Sequence, residues 1–182
     1  QSQMLGLGHA ILTGEPLIGN EPFAVILADD LCDCGKNGMI SEMVKIYKKY
    51  KCSVIAIEEI PFTQVERYGV ISGDLIDGSN NTYRVTNMIE KPNSHDLIEF
   101  VDDRVDQNKV PSFKAIIGRY ILTPDIFDIL KKIKPNKNGE IQITDALLIQ
   151  AKKGKVVAYK FKGKRLDCGS VKGYLEACNY FA

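Results

Sequence analysis

Two acidic positions, far apart in the chain, carry the side chains best suited to hold a cation. Asp29, with Asp30 beside it, follows the apolar run 23–27, and Asp167 precedes the Cys168-Gly169 turn. Carboxylates at the carboxyl end of a buried strand face the ligand crevice of an open α/β sheet, and Mg²⁺ prefers oxygen ligands. Alone, each acid is equally consistent with a turn or a helix cap. Together they offer two carboxylates for one ion.

Glu90 and Lys91 form a second candidate pair, at the end of a predicted strand that Pro92 terminates. Neighbouring strand residues point to opposite faces. The carboxylate could accept hydrogen bonds from sugar hydroxyls, and the ammonium could neutralise a phosphate. A solvent-facing strand end explains the pair almost as well.

Gly6 and Gly8 follow Gln1 and belong to a short predicted helix over residues 5–13. Glycine lets a flat ring or a phosphate approach the backbone closely. Isolated glycine motifs are weak evidence, so spacing alone favours a plain turn.

The five cysteines favour reduced thiols and a cytoplasmic protein, because an odd, scattered set does not suit a disulfide framework. Cys32 and Cys34 lack a second Cys/His pair at zinc-site spacing. Cys168 is a poor candidate nucleophile, because neither His9 nor His95 is placed by the sequence as its partner.

The elements that must position these residues alternate between strands and helices, which predicts an α/β sheet with a right-handed crossover. The run 23–27 is continuously apolar and therefore predicts a strand covered on both faces. Turn residues between 71 and 84 predict that strands 68–71 and 84–89 pair antiparallel beside the main sheet. Further strands are predicted at 53–57, 115–122 and 156–159.

Helical patterns follow Ser41 and Thr144, and another covers residues 172–182. Thr144 and Asp145 are interpreted as opening a helix that runs to residue 151. The polar segment 93–110 is interpreted as an exposed loop or loose helix.

Length and charge narrow the class of protein. The 182 residues suit one globular domain. Lys and Arg number 24 against 23 Asp and Glu, so a basic excess that would indicate nucleic acid is absent. No apolar run approaches the roughly 20 residues of a membrane span, so no membrane partner is expected.

Seven short segments, taken in order, resemble the sugar-1-phosphate nucleotidylyltransferases, and their uridylyltransferase branch most closely. They are GLGHA (6–10), EPFAVILAD (21–29), YGV (68–70), IEKP (89–92), IGRYIL (117–122), EIQITDA (140–146) and DCG (167–169). Each is short, but the ordered set covers nearly the whole chain. The resemblance implies a nucleotide-diphospho-sugar transferase fold, a Rossmann-like mixed sheet flanked by helices. Residues 1–182 would be a single, partial nucleotidyltransferase domain, incomplete at both ends.

The same resemblance implies an Mg²⁺-dependent enzyme that makes UDP-glucose and pyrophosphate from UTP and glucose-1-phosphate. Carried over residue by residue, Asp29, Lys91 and Asp167 would be catalytic, with Asp29 and Asp167 holding Mg²⁺ and Lys91 contacting the sugar phosphate. Substrate contacts would come from Gln1 and Gly6 (base), from Gly69, Glu90 and Gly118 (glucose), and from Tyr68. Thr144 and Asp145 would cap a helix rather than touch substrate.

Three departures from the family pattern qualify this implication. The G-x-G-T-R loop that grips the triphosphate is absent before Gln1, segment 93–112 is longer and more charged than expected, and Lys172 is displaced by one position. Transfer to another base or hexose phosphate stays open, as does a noncatalytic sugar-nucleotide-binding or regulatory module. The full-length protein is expected to form a homo-oligomer.

Because the triphosphate loop is absent, we expect residues 1–182 alone to show little or no turnover. Pyrophosphate release by the purified chain measures this. A rate typical of enzymes, about 1 s⁻¹ or faster, would contradict the expectation.

Overall fold

The computed structural model describes residues 1–35, 38–93, 96–97, 100 and 112–182. Its α-helices are α1 Leu7–Leu12, α2 Glu15–Ile18, α3 Met39–Tyr50, α4 Asp125–Leu130, α5 Ile143–Ala151 and α6 Val171–Phe181, with a 3₁₀ helix at Phe62–Arg67. Its strands are β1 Phe23–Ile26, β2 Asp30–Asp33, β3 Ser53–Pro61, β4 Gly69–Leu75, β5 Thr82–Glu90, β6 Ser112–Leu122, β7 Val156–Lys160 and β8 Lys164–Asp167.

A six-stranded mixed sheet in the order β1-β6-β3-β7-β5-β4 forms the centre of the fold. Of its described pairings, β3–β7 is parallel and the others are antiparallel. Since β1 and β3 both run antiparallel to β6, they run parallel to each other, as the strand–helix–strand order predicted. The α/β class and the mixed sheet are confirmed.

The predicted pairing of β4 with β5 is confirmed, and its register brings Gly69 opposite Glu90. These strands belong to the main sheet rather than lying beside it, because β5 also pairs with β7 and β4 also pairs with β6. The end of the hairpin that carries Gly69 and Glu90 is therefore part of the main sheet.

The prediction that β1 is covered on both faces was wrong. β1 lies at the sheet edge, paired with β6, and its exposed residues alternate with partly buried ones. Within the described residues, Ile26 is 56% exposed, so one face of β1 is not covered. Central burial belongs to β3, where Val54 and Ile57 have no exposed surface.

Helices flank both sides of this sheet. Residues of α1, α4 and α5 pack with sheet side chains in one apolar cluster, and α3 contributes Met39 and Met43 to a second. The amphipathic spacing of α3 explains its orientation, since Met39 and Met43 are four residues apart on one helix face. Burial of these faces is the main stabilisation that the elements gain.

A second, two-stranded sheet, which the sequence did not predict, joins β2 to β8. The two strands are antiparallel and place Asp30 opposite Asp167. Arg165, two residues before Asp167, lies on the same face because strand side chains alternate. Two acids and one base from distant parts of the sequence are thus brought together.

Two helix interpretations change with the structure. Helix α5 begins at Ile143 after Gln142 and has no side-chain cap, so Thr144 and Asp145 do not cap it. Helix α3 begins at Met39, which places Ser41 inside the helix. The interpretation of 93–110 as an exposed loop or loose helix lies largely outside the described residues.

The cysteines of the chain, all among the described residues, form no disulfide in the structure. All five cysteines are free, and burial raises the pKa of the Cys32 thiol to about 11. In the part of the chain that the structure describes, no helix has both the length and the apolar character needed to cross a bilayer.

The Arg165 side chain joins the small sheet to the large one. Its Nε donates to Asp30 Oδ1 at 2.5 Å and its NH1 donates to Glu58 Oε1, on β3, at 2.6 Å. Only 7% of the Arg165 side chain and 8% of the Asp30 side chain are exposed. Removing the cation would leave a buried carboxylate without its charge partner.

Arg165→Ala is therefore expected to lower the free energy of unfolding by about 3–5 kcal/mol. The matched control is Lys160→Ala, which removes a 2.6 Å ion pair between Lys160 and Glu59. The Lys160 side chain is 35% exposed and the Glu59 side chain is 43% exposed. That exposed pair should contribute no more than about 1 kcal/mol. Urea unfolding of both variants measures the difference, and similar losses would contradict the buried role of Arg165.

Candidate functional site

A cavity of about 530 Å³ lies between β6, the β4–β5 hairpin, β8, the start of α5 and the segment that joins β1 to β2. Its wall combines apolar side chains, glycines and a dense group of charged residues. The lining consists of Gly6, Leu7, Leu27, Asp29, Asp30, Arg67, Tyr68, Gly69, Glu90, Lys91, Ile116, Gly118, Tyr120, Glu140, Gln142, Ile143, Thr144, Arg165, Asp167 and Gly169.

All the residues assigned to the site from sequence line this cavity, with the exception of Gln1. The Gln1 amide instead donates to Gly6 O at 3.2 Å and lies 2.9 Å from His9 Nδ1. Gln1 is therefore attached to the cavity wall through Gly6. The individual roles of these residues remain predictions.

Asp29 and Asp167 approach the same stretch of backbone. The Cys168 amide donates to Asp29 O at 2.7 Å, which ties the turn before β2 to the turn after β8. A Cβ atom on Gly169 would lie 3.1 Å from Asp167 Oδ1 and 3.5 Å from Asp29 Oδ2. The missing side chain of Gly169 thus leaves open space that both carboxylates face.

Each oxygen of Asp167 has its own donors. Oδ2 accepts hydrogen bonds from Arg67 NH2 and from the Tyr68 hydroxyl, both at 2.7 Å, and Oδ1 accepts one from Gly169 N at 3.0 Å. Partial burial alone would raise the pKa of this carboxyl, but the Tyr68 and Gly169 hydrogen bonds, with the charges of Arg165 and Arg67, hold the pKa below its usual value. Asp167 is therefore ionised at neutral pH.

Asp30, next in sequence to Asp29, is buried, and both of its carboxylate oxygens bind other protein groups. Its Oδ2 accepts a hydrogen bond from Gly118 N at 2.6 Å while its Oδ1 binds Arg165. Burial disfavours the charged guanidinium, but the hydrogen bond and charge of Asp30 hold the pKa of Arg165 above its ordinary value. Asp30 is 5% exposed, whereas Asp29 is exposed to the cavity.

Glu90 and Lys91 lie together at the end of β5. Thr144 Oγ1 donates to Glu90 Oε2 at 2.5 Å, so Thr144 orients a carboxylate in the cavity instead of capping α5. Lys91 has a left-handed backbone, with φ of 45°, and its amide donates to Tyr68 O at 3.1 Å. Such a conformation in a residue other than glycine stores strain, which is typical of functional sites.

Gly118 is required by the close approach of Asp30. A Cβ atom there would lie 2.6 Å from Asp30 Oδ2 and 2.6 Å from Leu27 Cβ, closer than real contacts allow. The missing side chain of Gly118 thus has a structural reason, independent of the predicted sugar contact.

Gly6 has a comparable reason. Its φ of 88° is left-handed, and a Cβ atom would lie 2.8 Å from Ile141 O. The close approach at Gly6 is made by the Ile141 backbone and by Cβ of Glu140, and Glu140 lines the cavity.

Sequence reasoning missed several charged or polar residues of the wall. They are Arg67, Glu140, Gln142, Thr144 and Arg165. Strand alternation offered one usable signal, because Arg165 stands two residues before Asp167 and so shares its face. No comparable local pattern indicated Thr144, whose partner Glu90 is 54 residues away.

The cavity wall contains more carboxylates than cations. The acids are Asp29, Asp30, Glu90, Glu140 and Asp167, and the bases are Arg67, Lys91 and Arg165. Arg67 and Arg165 already pair with Asp167 and Asp30. A phosphate-bearing ligand would therefore meet net negative charge unless a cation accompanied it.

Asp29 and Asp167 fit a divalent cation of the hard, oxygen-binding kind. Two carboxylates facing one open space suit Mg²⁺, which uses one or two protein carboxylates together with water and substrate phosphates. Among the described residues there is no group of three or more His, Cys, Asp or Glu side chains suited to a metal. The arrangement thus favours a cation shared with a ligand.

A family model described as nucleotidyl transferase matches residues 1–182. The chain belongs to this nucleotidyl transferase family. The family generally uses a divalent metal, in agreement with the carboxylates of the cavity.

Curated relatives are similar along the whole chain. A UTP–glucose-1-phosphate uridylyltransferase of Pseudomonas aeruginosa is 55% identical over 181 residues, which is 99% of this chain and 60% of the relative. A protein with the same description from Staphylococcus epidermidis is 38% identical over 182 residues, all of this chain and 58% of that protein. The chain thus spans about 60% of the length of these relatives.

Solved structures give the same result for the fold. A UDP-glucose pyrophosphorylase complexed with UDP-glucose matches with a TM-score of 0.84 and 55% identity, covering 98% of this chain and 62% of that one. A UTP-bound enzyme from Acinetobacter baumannii matches with a TM-score of 0.76 and 30% identity, covering 98% and 57%.

Gly169→Ala tests the space between the two carboxylates. Gly169 is outside the left-handed region, so alanine fits its backbone, and the new methyl group would contact Asp29 and Asp167. We expect the affinity for Mn²⁺, a spectroscopic probe of divalent sites, to fall at least about tenfold. The free energy of unfolding should change by less than about 1 kcal/mol.

Gly154→Ala is a control with the opposite expected result, a loss of stability without a loss of Mn²⁺ affinity. Gly154 has φ of 70° and nothing within 4 Å of a Cβ atom, so alanine should cost about 1 kcal/mol of stability without changing Mn²⁺ affinity. Unchanged Mn²⁺ affinity in Gly169→Ala would argue against a cation between Asp29 and Asp167.

Proposed function

We propose that the full-length protein containing this chain makes UDP-glucose and pyrophosphate from UTP and glucose-1-phosphate, with Mg²⁺. The observation that carries the proposal is that Asp29 and Asp167 line the same cavity as Glu90 and Lys91. The two aspartates suit a cation that accompanies phosphate groups. Glu90 suits the hydroxyls of a sugar, and Lys91 suits the phosphate of that sugar. The 55% identity to a UTP–glucose-1-phosphate uridylyltransferase supports this choice of substrates.

The substrate contacts that we propose combine the family resemblance with the residues that line the cavity. Glu90, held by Thr144, would accept hydrogen bonds from glucose hydroxyls, with Gly69 and Gly118 forming flat walls beside the ring. Gly6, supported by Gln1, would contact the uracil base. Small residues allow a flat ring to approach the backbone.

The chemical step is an in-line displacement at phosphorus. A phosphate oxygen of glucose-1-phosphate attacks the α-phosphorus of UTP, a new P–O bond forms, and the bond to the bridging oxygen of the β-phosphate breaks. Pyrophosphate leaves with that electron pair. Such transfers need little covalent help from side chains, so positioning and charge neutralisation determine the rate.

Lys91 and the two aspartates would provide that positioning. The Lys91 ammonium would bind the phosphate of the sugar and offset its charge. Asp29 and Asp167 would hold Mg²⁺, which when bound neutralises the phosphates and reduces their mutual repulsion. The hydrogen bonds to Asp167 hold its pKa below the usual value, which favours the charged form that a cation binds.

We infer further that the protein works in the cytoplasm, where nucleoside triphosphates are made and cysteines stay reduced. Homo-oligomerisation of the full-length protein and a single domain around residues 1–182 stay predictions.

Pyrophosphate release by the product of the complete open reading frame around this chain tests the proposal. We expect Mg²⁺-dependent release that is fastest with UTP and slower with dTTP or ATP. A folded protein that binds UDP-glucose without releasing pyrophosphate from any nucleotide would instead indicate a binding module.

Asp29→Ala and Lys91→Ala are expected to reduce kcat/KM for the sugar phosphate at least about 100-fold, because each removes charge stabilisation of several kcal/mol. Asp128→Ala is the matched control, since this exposed acid on α4 lies outside the cavity lining. Equal activity of Asp29→Ala and Asp128→Ala would refute the role of Asp29.

A further inference from the structure

The Tyr68 hydroxyl is directed at a carboxylate rather than at the sugar region of the cavity. It donates to Asp167 Oδ2 at 2.7 Å, although the family resemblance implied a substrate contact for Tyr68. The same oxygen accepts a hydrogen bond from Arg67, which is half-exposed. Tyr68 is more enclosed and is held from several sides.

The two oxygens of Asp167 face different surroundings. Oδ2 is directed at Tyr68 and Arg67, whereas Oδ1 lies by Gly169, in the open space that Asp29 Oδ2 also faces. A carboxylate can rotate about its bond to Cβ, so a donor that holds Oδ2 also determines where Oδ1 is directed. The donors on Oδ2 therefore control the side of the carboxylate that faces Asp29.

The position of the Tyr68 ring is itself determined by the fold. The Arg165 guanidinium carbon lies 4.7 Å from the ring centroid, within the range of a cation–π contact. Arg165 is fixed in turn by Asp30 and Glu58. Tyr68 O accepts the Lys91 amide at 3.1 Å, which anchors the backbone as well.

We propose that Tyr68 is a positioning residue whose hydroxyl holds Asp167 Oδ2, so that Oδ1 is presented with Asp29 to the divalent cation. This inference rests on the proposed function, because that function assigns the cation to Asp29 and Asp167. Partners of metal-binding carboxylates commonly set ligand orientation, and their removal costs 10–100-fold in metal affinity or activity. Tyr68 thereby connects the cation site to Lys91, which would bind the sugar phosphate.

Tyr68→Phe separates this role from a substrate contact, because phenylalanine keeps the ring over Arg165 and removes the hydroxyl alone. In the full-length protein with UDP-glucose bound, Mn²⁺ affinity measured by electron paramagnetic resonance is expected to fall about tenfold. UDP-glucose affinity in EDTA, measured by calorimetry, is expected to stay unchanged. A loss of UDP-glucose affinity in EDTA with unchanged Mn²⁺ affinity would overturn the inference.

Tyr180→Phe is the matched control. Its hydroxyl makes a tyrosine–aspartate hydrogen bond of the same length, 2.7 Å to Asp33 Oδ2, outside the cavity lining. Its Mn²⁺ affinity should equal that of the wild-type protein. Equal losses in Tyr68→Phe and Tyr180→Phe would indicate a general structural effect and overturn the inference.

Asp167→Asn distinguishes the two levels of the proposal. If this variant loses Mn²⁺ and Tyr68→Phe binds it like the wild type, the inference fails while the proposed metal site stands. If Asp167→Asn binds Mn²⁺ as tightly as the wild type, the metal site of the proposed function fails as well.

Discussion

Placing one guanidinium among three carboxylates is the constraint on which the site depends. Arg165 reaches from β8 to Asp30 on β2 and to Glu58 on β3, and its NH2 atom lies 3.8 Å from Asp167 Oδ2. Without this cation, the pairing of β2 with β8 would bring Asp30 and Asp167 face to face as like charges, which is destabilising. The buried arginine therefore stabilises the small sheet against the large one.

That arrangement gives neighbouring acids different tasks. Asp30 is enclosed, bonded to Gly118 N and to Arg165, and so belongs to the framework. Asp29, one residue earlier, is exposed to the cavity and faces the space beside Gly169. Asp29 lies in the turn between β1 and β2, whereas Asp30 begins β2, so one acid is available to a ligand and the other serves the fold.

Backbone geometry matters to the site as much as side-chain chemistry does. The close contacts at Gly6 and Gly118 exclude a side chain at either position. Lys91 has a left-handed backbone conformation, and its amide donates a hydrogen bond to Tyr68 O. A cavity whose groups are fixed in this way needs little rearrangement when charge moves, which is the form of stabilisation that the proposed transfer at phosphorus would require.

Apolar periodicity and turn residues were enough to predict the strands at 53–57 and 115–122 and the hairpin of β4 with β5, because these signals are local. Ordered motifs likewise singled out Asp29, Glu90, Lys91 and Asp167, which the structure brings to one cavity. Only the tertiary structure decided that β1 is an edge strand, that β2 pairs with β8, and that Thr144 binds Glu90. Those features depend on contacts between residues far apart in the sequence, and neither composition nor spacing records which distant partner a short strand or a buried charge will meet.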